Sequence, residues 1–274
     1  MKTSLSRRLL TASALLALSV SPALAHRFWI IPSTSVLSGD DQWVTFDAAI
    51  SNNLFFPNHH AAPLAGFTVT GPDGKTVEIQ NGKEGQVRTT FDVKLTQPGT
   101  YKAATVRETL SAVWTENGEQ KRWRGNAATF ASEGIKDKPG VKVSQNVSRV
   151  ETVVTSGEPS LEALKPTGKG LELVVDKNHP TDLVKGEKVS FLMHFNGKPA
   201  AGLKVTLVKG DDRYRNDTGE TSVTTNAEGR FEVTFPETGR FWLNATTEGE
   251  GTKLEGLPVA SRSSYTTTVE VLPE

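Results

Sequence analysis

After its first twenty-five residues the chain is dominated by short runs in which apolar and polar residues alternate, and β-branched side chains fill most of them. A period of two places every second side chain on one face, as in a half-buried strand. The pattern predicts strands over 44–50, 66–70, 76–79, 87–95, 100–106 and 143–154. Turn signals separate them: Ser38-Gly39-Asp40, Gly71-Pro72-Asp73-Gly74, Asn81-Gly82 and Gln97-Pro98-Gly99. Residues 107–135 carry Trp114 and Trp123 among polar neighbours, and here the alternation lapses, so an irregular segment is expected.

The stretch 158–170 contains Pro159, Pro166, Gly168 and Gly170 and reads as a linker. Beyond it, strands are predicted at 171–175, 188–195, 204–209, 220–225, 230–235, 239–246 and 266–272, about seven, the number that one sandwich needs. The expectation is an all-β protein of two β-sandwich domains, immunoglobulin-like or prealbumin-like, covering 26–157 and 171–274.

The first twenty-five residues follow another logic. Lys2, Arg7 and Arg8 precede a Leu- and Ala-rich run from Leu9 to Val20, and Ala23-Leu24-Ala25 supplies a small-x-small cleavage site. That order predicts a cleaved signal peptide and a periplasmic location. Cleavage after Ala25 would remove three bases and no acid, changing 31 basic against 31 acidic residues to 28 against 31. Nothing in that charge favours nucleic acid or anionic lipid, and no later run is apolar enough to span a membrane.

The chain has no cysteine, which excludes disulfides, thiolate metal sites and cysteine nucleophiles. No Gly-x-Ser-x-Gly, His-Glu-x-x-His or phosphate-cradling glycine loop is present, and no enzymatic activity is expected. Any metal must bind imidazole, carboxylate, backbone or α-amine. His26 would be the first mature residue, offering an amine and an imidazole that can close one chelate ring. An α-amine titrates near 8, so a metal displaces its proton readily. His59 and His60 lie in a loop after an aromatic stretch, Leu54-Phe55-Phe56-Pro57, and could share a metal with His26 only where the loop bends. Nitrogen ligands suit nickel, cobalt or copper. His179, in Asn178-His179-Pro180, reads as part of a turn, and His194 as a half-buried strand residue beside a core Met193. Asp40-Asp41 and Asp211-Asp212 read as exposed turns.

Two resemblances add to this reading. Gly197-Lys198-Pro199-Ala200-Ala201-Gly202, Asn226-Ala227-Glu228-Gly229-Arg230-Phe231 and Gly239-Arg240-Phe241-Trp242 resemble prealbumin-like, carboxypeptidase-regulatory-like domains. Those domains are usually structural. Ala25-His26-Arg27-Phe28-Trp29-Ile30-Ile31-Pro32, with Asn178-His179-Pro180 and Leu183-Val184-Lys185-Gly186 later, resembles a bacterial periplasmic family often labelled as the periplasmic component of cobalt or nickel uptake systems. That resemblance covers nearly all of 20–272. It implies two β domains and transition-metal handling, with a metal ion or its chelate as ligand and a metal uptake permease as partner. The function expected is therefore a metal-binding accessory protein that uses His26, His59 and His60. A copper carrier and a metal-free structural or adhesive protein are the alternatives.

Overall fold

The computed structural model describes residues 26–39, 41–210, 213–215, 217–251 and 253–274. The expected signal peptide lies outside the described residues, as do Asp40, Asp211 and Asp212. Among the described residues the strands form sheets of five, ten and four members.

The strand Thr89–Leu95 shows how alternation becomes a core. Every second residue is buried. It pairs antiparallel with Gln42–Ser51, setting Phe46 opposite Phe91, and the two rings stack at 5.1 Å. Val44, Val93 and Leu95 extend that face, and Phe67, Tyr101, Val150 and Val154 close it from the opposing sheet. The C-terminal half has its own interior, built on Leu171, Phe191, Met193, Phe231, Leu243 and Tyr265. Both halves are β-sandwiches, and the chain is all-β in class.

The largest sheet runs through both halves. Lys142–Ser156 pairs antiparallel with Gly99–Glu116 on one side and parallel with Val259–Val271 on the other. Parallel neighbours require a long crossover, and here the crossover is the C-terminal sandwich itself. The segment 158–170 is well anchored. Ala163 is buried in a 3-10 turn, and the backbone N–H groups of Thr167 and Gly168 donate to the Glu172 carboxylate at 2.8 and 2.7 Å.

Residues 107–125 differ from the expectation of an irregular segment. Gly99–Glu116 continues as one strand well past Val106, about 60 Å in all at ~3.3 Å per residue. It then reverses into Glu119–Gly125. Asn117 and Gly118 form the turn with φ of 53° and 79°, the two positive values of a tight primed hairpin turn. The alternation lapses because both faces of this hairpin are only partly covered. The short helix Ala127–Ser132 follows, with Asn126 accepting from Thr129 N as its N-cap. Its Phe130 joins Leu110, Ile135, Val143 and Val259 in a small separate core at this end of the sheet.

Candidate metal centre

His26 is exposed and immediately precedes the strand Arg27–Pro32, which pairs antiparallel with Gln42–Ser51 so that Arg27 lies opposite Ser51. On its other edge Gln42–Ser51 pairs with the short strand His60–Ala61, setting Ile50 opposite His60. One strand end thus receives the first described residue from one side and the His59-His60 pair from the other. The rings of His26 and His59 stack with centroids 3.6 Å apart and planes 20° from parallel. The His59 and His60 rings lie 3.8 Å apart with planes tilted by 38°. The bend needed to bring adjacent histidines together is present. The structure gathers all three expected ligand residues, with His179 and His194 elsewhere.

The intervening loop is built to hold that bend. Asn58 accepts from the Asn52 N–H at 2.9 Å and donates through Nδ2 to Asn53 Oδ1 at 2.8 Å. Ser51 Oγ receives the Trp29 indole N–H at 2.6 Å and donates to the Asn53 carbonyl at 2.6 Å. Phe55 has φ 59°, a left-handed conformation that a bulky side chain resists. Such strain persists only where the surroundings enforce it, at roughly 1–3 kcal/mol. Here the Phe55 ring meets the Trp29 ring edge-on at 5.9 Å, and both join Ile31, Leu54, Val208 and Trp242 in one cluster. Val208 and Trp242 belong to the C-terminal half, so the packing of the two halves supports the loop. Pro57 and Asn58 are turn residues by type and make a bend legible in the sequence, whereas the support that Phe55 gives the loop leaves no local signal.

Partial burial, followed by the neighbouring His26 and His60, lowers the His59 pKa below its ordinary value of 6.5. The lowered pKa leaves a His59 nitrogen lone pair open near neutral pH. Among the described residues no group of three or more His, Cys, Asp or Glu side chains has metal-holding geometry as it stands.

His179 serves a different purpose. Its Nδ1 accepts from the Thr181 N–H at 3.2 Å, so Nε2 carries the proton toward Thr100 Oγ1 at 3.1 Å and the Ser160 carbonyl at 3.3 Å. Thr155 Oγ1 lies 3.0 Å from Thr100 Oγ1 and 2.8 Å from Thr181 Oγ1. The ring therefore joins the N-terminal sandwich, the connector and the C-terminal half. Thr100 is fully buried, and because Nε2 holds the proton the ring faces its hydroxyl as a donor and not as a base. His194 is half-buried in the strand Lys188–Phe195, and the adjacent Met193 is core. Asp41 is exposed and pairs with Lys94 at 3.4 Å. No helix among the described residues is long and apolar enough to cross a membrane.

Fold and site together define a two-sandwich β protein with a cluster of three imidazoles at the junction of its halves. The chain belongs to the DUF4198 family, described as a domain of unknown function, whose model matches residues 23–249. No curated protein matches it. Similar solved structures include the D0-D1 domain of intimin, 12% identical over 89% of this chain and 97% of that one, with a TM-score of 0.22. Another is a Salmonella alpha-2-macroglobulin mutant, 14% identical over 94% of this chain and 16% of that one, at 0.24. A DUF4785 family protein from Legionella pneumophila subsp. pneumophila str. Philadelphia 1 is 9% identical over 79% of this chain and 52% of that one, also at 0.24.

Proposed function

We propose that this protein is a periplasmic transition-metal-binding accessory protein that carries nickel or cobalt to an uptake permease. The observation that supports this most is the gathering of His26, His59 and His60 within stacking distance of one another. Histidine rotamers interconvert by rotation about χ1 and χ2, and His26 and His60 are exposed, so their nitrogens can turn toward a shared ion. Cleavage before His26 would add the α-amine as a further nitrogen. A cargo site with three or four such ligands leaves positions for water or a carried chelate. No reaction is assigned to it. A copper carrier would use the same residues, and the order of metal affinities distinguishes the two.

The test is calorimetric titration of the chain beginning at His26 with nickel, cobalt and copper(II), beside a chain with one alanine added before His26. Stoichiometric binding that the added alanine abolishes is the expected result. Binding that is unchanged in the extended chain rules out the α-amine of His26 as an anchor. No binding in either favours the metal-free structural role.

A further inference from the structure

A groove of about 360 Å³ crosses the face of the large sheet where the C-terminal sandwich meets the small core around Phe130. Its lining mixes apolar and polar side chains. Val106 and Leu110 come from the long strand Gly99–Glu116, Val147 from Lys142–Ser156, and Leu254 from the neighbouring loop. Val106 is 46% exposed, a β-branched side chain presented to solvent in mid-strand. Lys169, Gly170, Asn196 and Lys253 complete the lining. Both lysines are exposed, and neither forms an ion pair among the described residues. The acid in the groove, Glu108, accepts from Gln145 Nε2 at 2.7 Å.

We infer that this groove binds a small amphiphilic organic anion, its apolar body against Val106 and Val147 and its anionic group paired with Lys169 or Lys253. The volume lies in the range of small-molecule pockets, and the junction between packed units is where such pockets occur. The choice of an anion rests on charge. The lining holds two lysines against a single carboxylate, which has a hydrogen-bond partner in Gln145. An apolar cation would meet the lysines without compensation, and a neutral amphiphile would leave them unused. The groove lies apart from the imidazole cluster and shares no residue with it.

The test is calorimetric titration of the chain beginning at His26 with decanoate, decanol and decyltrimethylammonium below their micelle concentrations, for the native protein and K169E/K253E. Native protein should bind one decanoate saturably, with decanol at least about tenfold weaker and the cation weaker still. The double reversal should remove the preference for decanoate while leaving the thermal midpoint unchanged, since both side chains are exposed. A Val147→Asp variant should lose decanoate binding whatever the charge at positions 169 and 253. Absence of saturable binding, equal affinity for anion and cation, or a double variant that still prefers decanoate would each overturn the inference.

Discussion

The Trp242 indole N–H donates to the Phe28 carbonyl at 3.0 Å, tying the strand that follows His26 to the C-terminal sandwich. The Arg27 guanidinium lies over the Trp242 ring, 5.6 Å from its centroid. Trp242 thus holds the two residues after His26 by a hydrogen bond and a cation–π contact. Trp242→Phe keeps a ring but removes the donor, leaving a part-buried carbonyl unpaired. A loss of about 1–3 kcal/mol of stability is expected. Urea denaturation measures that loss. Calorimetry should show metal affinity falling as well, because His26 is no longer held beside His59.

Gly210 sets how closely the halves approach. A Cβ there would sit 2.6 Å from Phe55 Cδ2 and 2.8 Å from Cε2. The Phe55 ring has little room to retreat, since its backbone is already in the left-handed region and its ring is against Trp29. Gly210→Ala should therefore displace the loop and cost about 1–3 kcal/mol. On the proposed function it also weakens metal binding, although no ligand has changed. A stability and affinity equal to those of the native protein would show that the loop adapts independently of the C-terminal half.

How much of this was readable beforehand follows from the kind of pattern each feature leaves. Thr89–Leu95 alternates because one sheet face is buried, and such a strand can be read residue by residue. Glu119–Gly125 could not be read that way, and the Asn117-Gly118 turn was the signal overlooked. The parallel pairing of Lys142–Ser156 with Val259–Val271 leaves no local trace, because it joins segments separated by a whole sandwich. His26, His59 and His60 could be chosen by residue type and context, but their approach depends on Gln42–Ser51 pairing with a different strand on each edge. Asn58 beside Pro57 was legible as a bend residue, but its two side-chain hydrogen bonds within the loop were not.

Asn58 offers a test of preorganisation. Its side chain makes two hydrogen bonds that close the loop. Asn58→Ala removes both from an exposed site, so global stability should fall by only about 0.5–1.5 kcal/mol. The proposed metal affinity should fall further than stability does, because His59 loses its fixed approach to His26. Proportional loss of both, followed by calorimetry and thermal melting, would assign Asn58 a merely structural part.

A buried ionic group joins the halves at another point. Arg149 Nη2 lies 3.1 Å from Glu172 Oε1, and the Tyr265 hydroxyl donates to Glu151 Oε1 at 2.8 Å. Burial, and then the Glu151 charge, push the Tyr265 pKa well above its ordinary value. Glu172 also accepts from Thr167 and Gly168, so one carboxylate orders the connector and neutralises the guanidinium. Glu172→Ala leaves Arg149 buried with a charge that Glu151 meets only at 3.7 Å. A destabilisation of about 3–5 kcal/mol is expected, as for other broken buried pairs. Urea titration would show it as a lower midpoint, and a loss below about 1 kcal/mol would mean that water reaches the guanidinium.

Acid should loosen the junction through His179. Burial, the larger effect, lowers its pKa below the ordinary 6.5, while the Ser160 carbonyl and Asp182 oppose the shift. A pKa lower in the folded than in the unfolded chain means that the unfolded chain takes up the proton first as pH falls. The contribution is therefore complete above about pH 6.5 and declines as pH drops toward the lowered folded value. The geometry supplies the reason. Nδ1 accepts from the Thr181 N–H, and a proton placed there would set donor against donor. His59 is also shifted downward, so it adds to the same slope and must be separated from it. Urea midpoints at pH 7.5 and 5 should differ in the native chain and in His59→Gln, and should differ less in His179→Gln, where no imidazole titrates between Thr100 and Thr181. A midpoint difference in His179→Gln as large as in the native chain would place the acid sensitivity elsewhere.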